Sequence, residues 1–373
     1  MTPALLGEFS IGEHEIAHRA IANRLRERIG KGLVPAGALL PSTQQLAQEW
    51  HTSYFTVHTA LNTLVREGLL ERRHGSGTHV LGPNRVIRKI GVYYRGREVW
   101  SDEEMTHLRN VHTALERQLS AQAIATEVFF DTREATGPEG SPLPGLKRAV
   151  ELREIQGLVL ARTDLWSFPR LQRLPLPVAF LGSGGGQTGR LYYDHRSHFR
   201  EIFRRFRARG LRSVGLISNV SPDDLRERFS DLGDYYTHFR AEADAAGLET
   251  RPGWIVSPPE RPASLMRFGY DAFHALWREP ALPDALLVFP DMTVRGVILA
   301  VVETRAFAGG KILFAFHRNR RVQVLCPFPA WWSVIDEEEV ASALITLIRR
   351  QHQGKPAPAI GLPIRLETAD SVF

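Results

Sequence analysis

The chain has 373 residues, of which 43% are hydrophobic and 24% charged; its formal net charge is +6 and its only cysteine is Cys326. That length exceeds one ordinary domain, while a lone cysteine excludes an intrachain disulfide and a cysteine-rich zinc site. No apolar run approaches the roughly 18–20 residues needed to cross a bilayer, and the opening MTPALLGEFSIGEHEIAHRA lacks the pattern of a signal peptide, so a cytoplasmic protein with no membrane partner is expected.

The positive charge hints at a polyanionic partner without locating one. Only Lys31, Lys89, Lys147, Lys311 and Lys355 are lysines, and residues 1–83 hold eight Lys/Arg against seven Asp/Glu. In chain order, Ala17, Ile21, Leu25 and Ile29 fall four apart, the stripe of a first helix. Pro35 and Gly37 then make a turn, and Ser42 is placed to cap a short second helix carrying Leu46, Ala47 and Trp50.

Residues 52–61, TSYFTVHTAL, have the branched and aromatic composition of a strand. The spacing says otherwise. At 100° per residue Val57, Ala60, Leu61 and Leu64 share one face, whereas strand alternation would split them, so a third helix is expected from Ser53. On that wheel Tyr54 falls at the margin of the core, while Phe55, Thr59 and Asn62 point away from it with Thr56 and His58 beside them. After Gly68, LLERR and THV flank a Gly-Ser-Gly tip, which reads as a basic hairpin.

Three helices and such a hairpin make a winged helix-turn-helix. The run PAGALLPSTQQLAQEW…TVHTALNTLVREGLLERRHGSGTHV resembles the DNA-binding domain of the GntR family of bacterial transcription regulators over about residues 16–81. The resemblance implies that the third helix enters the major groove and that the wing at His74–Gly77 reaches the minor groove or backbone. It nominates Ser42, Thr43, Gln44, Ser53, Tyr54, Phe55, Thr56, His58, Thr59, Asn62, Arg72, Arg73, His74, Gly75, Ser76 and Gly77 as DNA-contacting, with Arg72 and Arg73 on phosphates. Family members commonly carry arginines where this chain has Gln44, Tyr54 and His58. An operator with fewer arginine-read guanines is therefore expected, Gln44 suiting adenine and Phe55 a thymine methyl.

Residues 83–88 read as a linker, and from 89 onward apolar strands alternate with amphipathic helices, the grammar of parallel α/β sheets. Strands are expected at 90–94, 124–130, 157–161, 177–182, 213–218, 284–289 and 311–316, with helices at 103–120, 196–209, 231–247, 264–278, 291–304 and 336–351. RKIGVYY, REIQGLVLA, LPLPVAFLG…RLYYDHRSHFREIFRRFRARGLRSVGLIS and PDALLVFPDMTVRGVILAVVE…KILFAF resemble the LacI/periplasmic sugar-binding-protein fold. The fold class implied is α/β: an N-terminal winged helix-turn-helix over 1–82, then a two-lobed body over 89–373. Lobe one is expected at about 89–192 and 329–354, lobe two at about 193–328 and 355–373, with ligand between them at strand ends.

The resemblance places Tyr235, Asp291, His317 and Arg318 where sugar-binding members hold their ligand, and adds Tyr94, Arg95, Trp100, Asp131, Arg162, Trp166 and Ser183 near the cleft. The replacements suggest a ligand more anionic or more aromatic than a neutral hexose. Trp331 and Trp332 suit core packing better than ring stacking on a ligand. LGSGGGQTGR lacks the ending of a phosphate loop, DEEEV at 336–340 fits a helix N-terminus, and the histidines show no metal-ligand spacing.

The reading is a ligand-responsive repressor, not an enzyme, with no cofactor, acting as a homodimer on two-fold double-stranded operator DNA and sensing a sugar-like metabolite. Two alternatives stay open. The body is a degenerate protein-interaction or dimerisation module, or it is an aminotransferase-like body holding pyridoxal phosphate on one of the five lysines.

Overall fold

A computed structural model describes residues 17–81, 87–96, 105–133, 142–162, 168–182, 188–219, 233–260 and 262–368. Two compact units emerge, residues 1–88 and residues 89–373.

The first unit holds α1 (Ala17–Gly30), α2 (Thr43–Glu49), α3 (Tyr54–Arg66), β1 (Leu70–Arg73) and β2 (Gly77–Val80). Ser42 closes a capping box with Gln45, and Ser53 caps α3 by accepting from the Thr56 amide. The α3 residues Val57, Ala60, Leu61 and Leu64 are all buried, joining Ile21, Leu25, Ile29, Leu46 and Trp50 in one core. Helical spacing thus overrides strand-like composition, because only the helix delivers all four side chains to that core. β1 and β2 pair antiparallel with Arg72 opposite Thr78 and Arg73 opposite Gly77. Gly77 has φ +91, and a Cβ there would stand 2.9 Å from Leu39 Cδ1, so the wing lies close against the segment before α2.

The second unit contains two six-stranded sheets. The first has the order β13-β7-β6-β5-β3-β4 and is parallel throughout. Its strands are β3 (Lys89–Arg95), β4 (Ala125–Asp131), β5 (Gly157–Arg162), β6 (Val178–Leu181), β7 (Arg190–Tyr193) and β13 (Ile360–Leu362). Around it stand α4 (Thr106–Ser120), α5 (Pro144–Glu151), α6 (Phe168–Gln172) and α11 (Glu337–His352). The second sheet has the order β14-β12-β11-β10-β8-β9, parallel except for the β12–β14 pair. It comprises β8 (Val214–Ser218), β9 (Ile255–Val256), β10 (Ala285–Phe289), β11 (Leu313–Asn319), β12 (Trp331–Ile335) and β14 (Arg365–Thr368). The helices α7 (His195–Ala208), α8 (Gly233–Ala245), α9 (Leu265–Trp277) and α10 (Asp291–Thr304) complete this lobe.

The chain changes lobe at Asp194, at Asp336 and at residues 363–364. The last two crossings lie later than the 328 and 355 expected. Trp331–Ile335 is a strand of the second sheet, paired with β11 and β14, while Ile360–Leu362 pairs with β7 of the first. Trp331 and Trp332 alternate to opposite faces and are buried in the two cores of the second lobe. Among the described residues, no helix is long and apolar enough to cross a membrane.

Candidate nucleic-acid interface and lobe-junction recess

The exposed face of α3 carries the side chains predicted to meet DNA. Phe55 is 76% exposed and Tyr54 56%, so Tyr54 does not shoulder the core as the wheel suggested. Its ring instead stacks on His58 at 5.8 Å and 19°, which covers part of the aromatic surface without burying it. His58 is engaged on both nitrogens: Asn62 lies 3.2 Å from Nδ1, and Arg72 Nη1 lies 3.1 Å from Nε2. Arg73 is paired with Glu71 at 2.9 Å, and the tip residues His74, Gly75, Ser76 and Gly77 are exposed. Ser42, Gln44 and Ser53 are exposed, Thr43, Thr56, Thr59 and Asn62 half-buried. Arg26 on α1 clamps Glu67 behind α3 at 2.9 Å, fixing the helix against its support.

In the body, a small recess of about 20 Å³, room for little more than a water in its present form, opens among His195, His198, Tyr235, Phe289, His317 and Ser333. The end of β10 supplies Phe289, β11 supplies His317, the first turn of α7 brings His195 and His198, and α8 brings Tyr235. These rings form a chain of edge contacts: His317 to Phe289 at 4.5 Å, Phe289 to His195 at 5.6 Å, His195 to Tyr235 at 4.9 Å. His198 faces Ser333 Oγ at 2.8 Å, and its other nitrogen is satisfied by the backbone of Ile364. Neither ring nitrogen of His317 has a hydrogen-bond partner among the described residues, although the residue is only 4% exposed. Beside it, Asn319 donates to Asp291 at 3.1 Å.

His107 reaches this point from α4 of the other lobe. Its Nε2 meets the Tyr193 hydroxyl at 2.6 Å, and Asp291 and Asn319 of the second lobe act on its ring. Burial pushes His107 down to about 4, His195 to about 3 and His198 to about 4, and drives His317 well below its ordinary value. Mutual repulsion adds to burial at His317, which feels His107, His195 and His198. All four imidazoles are therefore uncharged at neutral pH. The lobes are also pinned by Glu337, which is fully buried and accepts from Asn110 on α4 at 3.0 Å and from the Arg321 amide at 3.3 Å. The acidic start of α11 is thus more than a helix-dipole effect.

The other expected ligand residues are distributed differently. Tyr235 and His317 line the recess, and Asp291 lies next to it, buried. Arg318 does not: strand alternation turns it to the opposite face, over Trp332 at 5.3 Å and paired with Glu367 at 2.6 Å. Tyr94 is fully buried with its hydroxyl 3.1 Å from His112 Nδ1, so it is core, and burial pushes that hydroxyl upward. Arg95 pairs with Asp131 at 3.2 Å. Burial alone would raise the Asp131 carboxyl, but hydrogen bonds from Arg133 and Tyr93 outweigh it and hold the group down to about 2. Trp100, Trp166, Ser183 and the middle half of LGSGGGQTGR lie outside the described residues, as does the side chain of Arg162.

His107, His195 and His198 escaped sequence reasoning. Only the i,i+3 spacing of the last two on α7 pointed to a shared face. None of the five lysines is buried, so a pyridoxal Schiff base finds no enclosed site. Burial lifts the Cys326 thiol to about 11, which leaves it protonated and unreactive.

Comparison with known proteins separates the same two units. Residues 17–80 match the family model described as bacterial regulatory proteins, gntR family. The regulator GmuR of Bacillus subtilis is 31% identical over 117 residues, covering 31% of this chain and 45% of that protein. The mannosyl-D-glycerate transport/metabolism system repressor MngR of Escherichia coli is 42% identical over 67 residues, 18% of this chain and 28% of that one. The chain thus spans less than half the length of these relatives. A LacI family transcription regulator from Clostridium acetobutylicum superposes with a TM-score of 0.60 at 15% identity, over 76% of this chain and 100% of that one. The chain carries a gntR-family winged-helix head and a body of LacI-type fold.

Proposed function

We propose that this protein, a gntR-family head on a LacI-fold body, is a transcription regulator that binds operator DNA and responds to a small metabolite held at the lobe junction. The observation that carries the reading is His317: a buried imidazole with both nitrogens unpartnered among the described residues, facing a recess walled by aromatic rings. A buried polar group without a partner costs roughly 1–3 kcal/mol, a cost that a ligand offering a donor and an acceptor would remove. The fusion of such a recess to a winged helix supports sensing coupled to DNA binding. Repression is the sense favoured, since MngR is named a repressor.

The ligand class follows from charge. With His317, His195 and His107 uncharged and Arg318 turned away, the recess suits a neutral molecule bearing hydroxyl or amide groups, such as a sugar derivative, better than an anion. A ligand touching both lobes would bias their closure and so the geometry of paired heads. A homodimer on a two-fold site is the corresponding assembly, and exposed Leu299 and Val302 on α10 offer it an apolar surface.

The test is a thermal-shift screen of neutral sugars, sugar acids and sugar phosphates, followed by DNA binding with and without each hit. A neutral hydroxylated compound that raises the melting temperature and alters DNA affinity supports the reading. Absence of any shift across all three classes would leave the body without a sensory role.

A further inference from the structure

The expectation for α3 was base reading without arginine, since Tyr54 and His58 stand where relatives of the head carry arginines. The structure supplies a guanidinium from elsewhere. Arg72 belongs to β1, yet its Nη1 reaches His58 Nε2 on α3 at 3.1 Å. A guanidinium has only donors, so Nε2 must hold the acceptor lone pair. In the neutral ring the proton then sits on Nδ1; the Asn62 atom 3.2 Å from it is the amide nitrogen Nδ2, so a half-turn of that amide is what brings its oxygen round to accept. Tyr54 stacks on the same ring and restricts its rotation. With Nη1 engaged, the Nε and Nη2 donors of Arg72 remain, and the side chain is exposed. Two parallel donors of that kind match O6 and N7 of guanine.

We propose that Arg72, tethered by His58 to the exposed face of α3, reads a guanine in the major groove, with His58 as its positioning residue. This rests on the DNA-binding reading of the head. It replaces the phosphate role expected for Arg72 and confines arginine readout to one position per half-site. The arrangement is specific to the pairing: an arginine at position 58 would repel Arg72, and histidine there both accepts from it and leaves it pointing outward.

The experiment uses the full chain and a library of DNA duplexes with a randomised core, selected by wild type, Arg72→Ala, His58→Ala and His58→Gln. Wild type is expected to select a half-site with a strongly preferred guanine. Arg72→Ala should lose that preference at one position by roughly tenfold to a hundredfold while keeping the rest of the site. His58→Ala should weaken preference at the same position, and His58→Gln should restore it, because the glutamine carbonyl can accept from Arg72. Thermal melting of the three variants should match wild type, since these side chains lie outside the head core. A uniform loss of affinity in Arg72→Ala, with the salt slope reduced by about one and base preference unchanged, would show a phosphate contact and overturn the proposal. Unchanged preference in His58→Ala would overturn the positioning role. Failure of wild type to select any sequence would instead defeat the DNA-binding reading itself.

Discussion

The His317 imidazole meets the ring of Phe289 at 4.5 Å between centroids and 60° between planes, with neither of its nitrogens partnered among the described residues. That contact holds a polar ring where an apolar one would be more stable. Replacing His317 with Phe removes two orphaned polar atoms at nearly constant shape. The variant is expected to be as stable as wild type or up to about 1–3 kcal/mol more stable, while losing the thermal shift produced by any ligand of the recess. Urea unfolding and ligand titration of the same variant measure the two effects. A large loss of stability would show that His317 is structural.

The buried imidazoles make the body acid-sensitive. Unfolded histidines take up protons near 6.5, whereas His107, His195 and His198 resist protonation until about 4, 3 and 4. Between those limits the unfolded chain binds more protons than the folded one, so stability falls as pH drops from about 6.5 and levels only below about 3. At pH 5 the loss is roughly 2 kcal/mol per imidazole. Denaturation midpoints should change little from pH 8.5 to 7 on this account and fall steeply from pH 7 to 5. Equal midpoints at pH 7 and 5 would contradict the burial of these rings.

Phe55 is 76% exposed and touches no core, so Phe55→Ala should change stability by less than about 0.5 kcal/mol. If its ring lies against a thymine methyl, operator affinity should fall roughly tenfold, about 1.4 kcal/mol. Fluorescence anisotropy with a selected operator gives the affinity, and replacing the contacted thymine with uracil should erase the difference. Equal affinity of the two proteins would remove Phe55 from the interface.

Helices α9 and α10 approach through Gly269 and Gly296, whose added Cβ atoms would strike backbone at Thr293 and Met266. Backbone cannot swing aside as a side chain can. Gly296→Ala should therefore cost about 3 kcal/mol or more and displace the first turn of α10, which carries Asp291. A melting temperature within a degree of wild type would refute the close approach.

The contrast between α3 and the recess shows what one sequence discloses. Val57, Ala60, Leu61 and Leu64 announce their helix because their period is local, and the hairpin announces itself through Gly75 and Gly77. Tyr54 was misplaced because a helical wheel counts angles and not partners, and its partner is His58 one turn on. β12 escaped as a strand because Pro327 and Pro329 precede it and every residue of Trp331–Ile335 is buried, leaving no alternation to detect. β13 and β14 are only three and four residues long, too short to carry a period. The histidines that act on one another in and beside the recess come from positions 107, 195, 198 and 317, and only folding brings them together. Arg318 was adjacent in sequence to the right residue and, for that reason, on the wrong face of the sheet.

The two late crossings have a consequence for synthesis. When the ribosome has passed residue 336, every strand of the second sheet except β14 exists, yet the first lobe still lacks α11 and β13. α11 packs on α4, β5, β6 and β7, elements finished more than 140 residues earlier, so those surfaces wait uncovered while the second lobe is translated. The winged head has by then been complete since residue 80. A nascent or prematurely ended chain would present a finished winged-helix unit attached to an unfinished body, and the demand for chaperones falls on the first lobe, the earliest part of that body to be made.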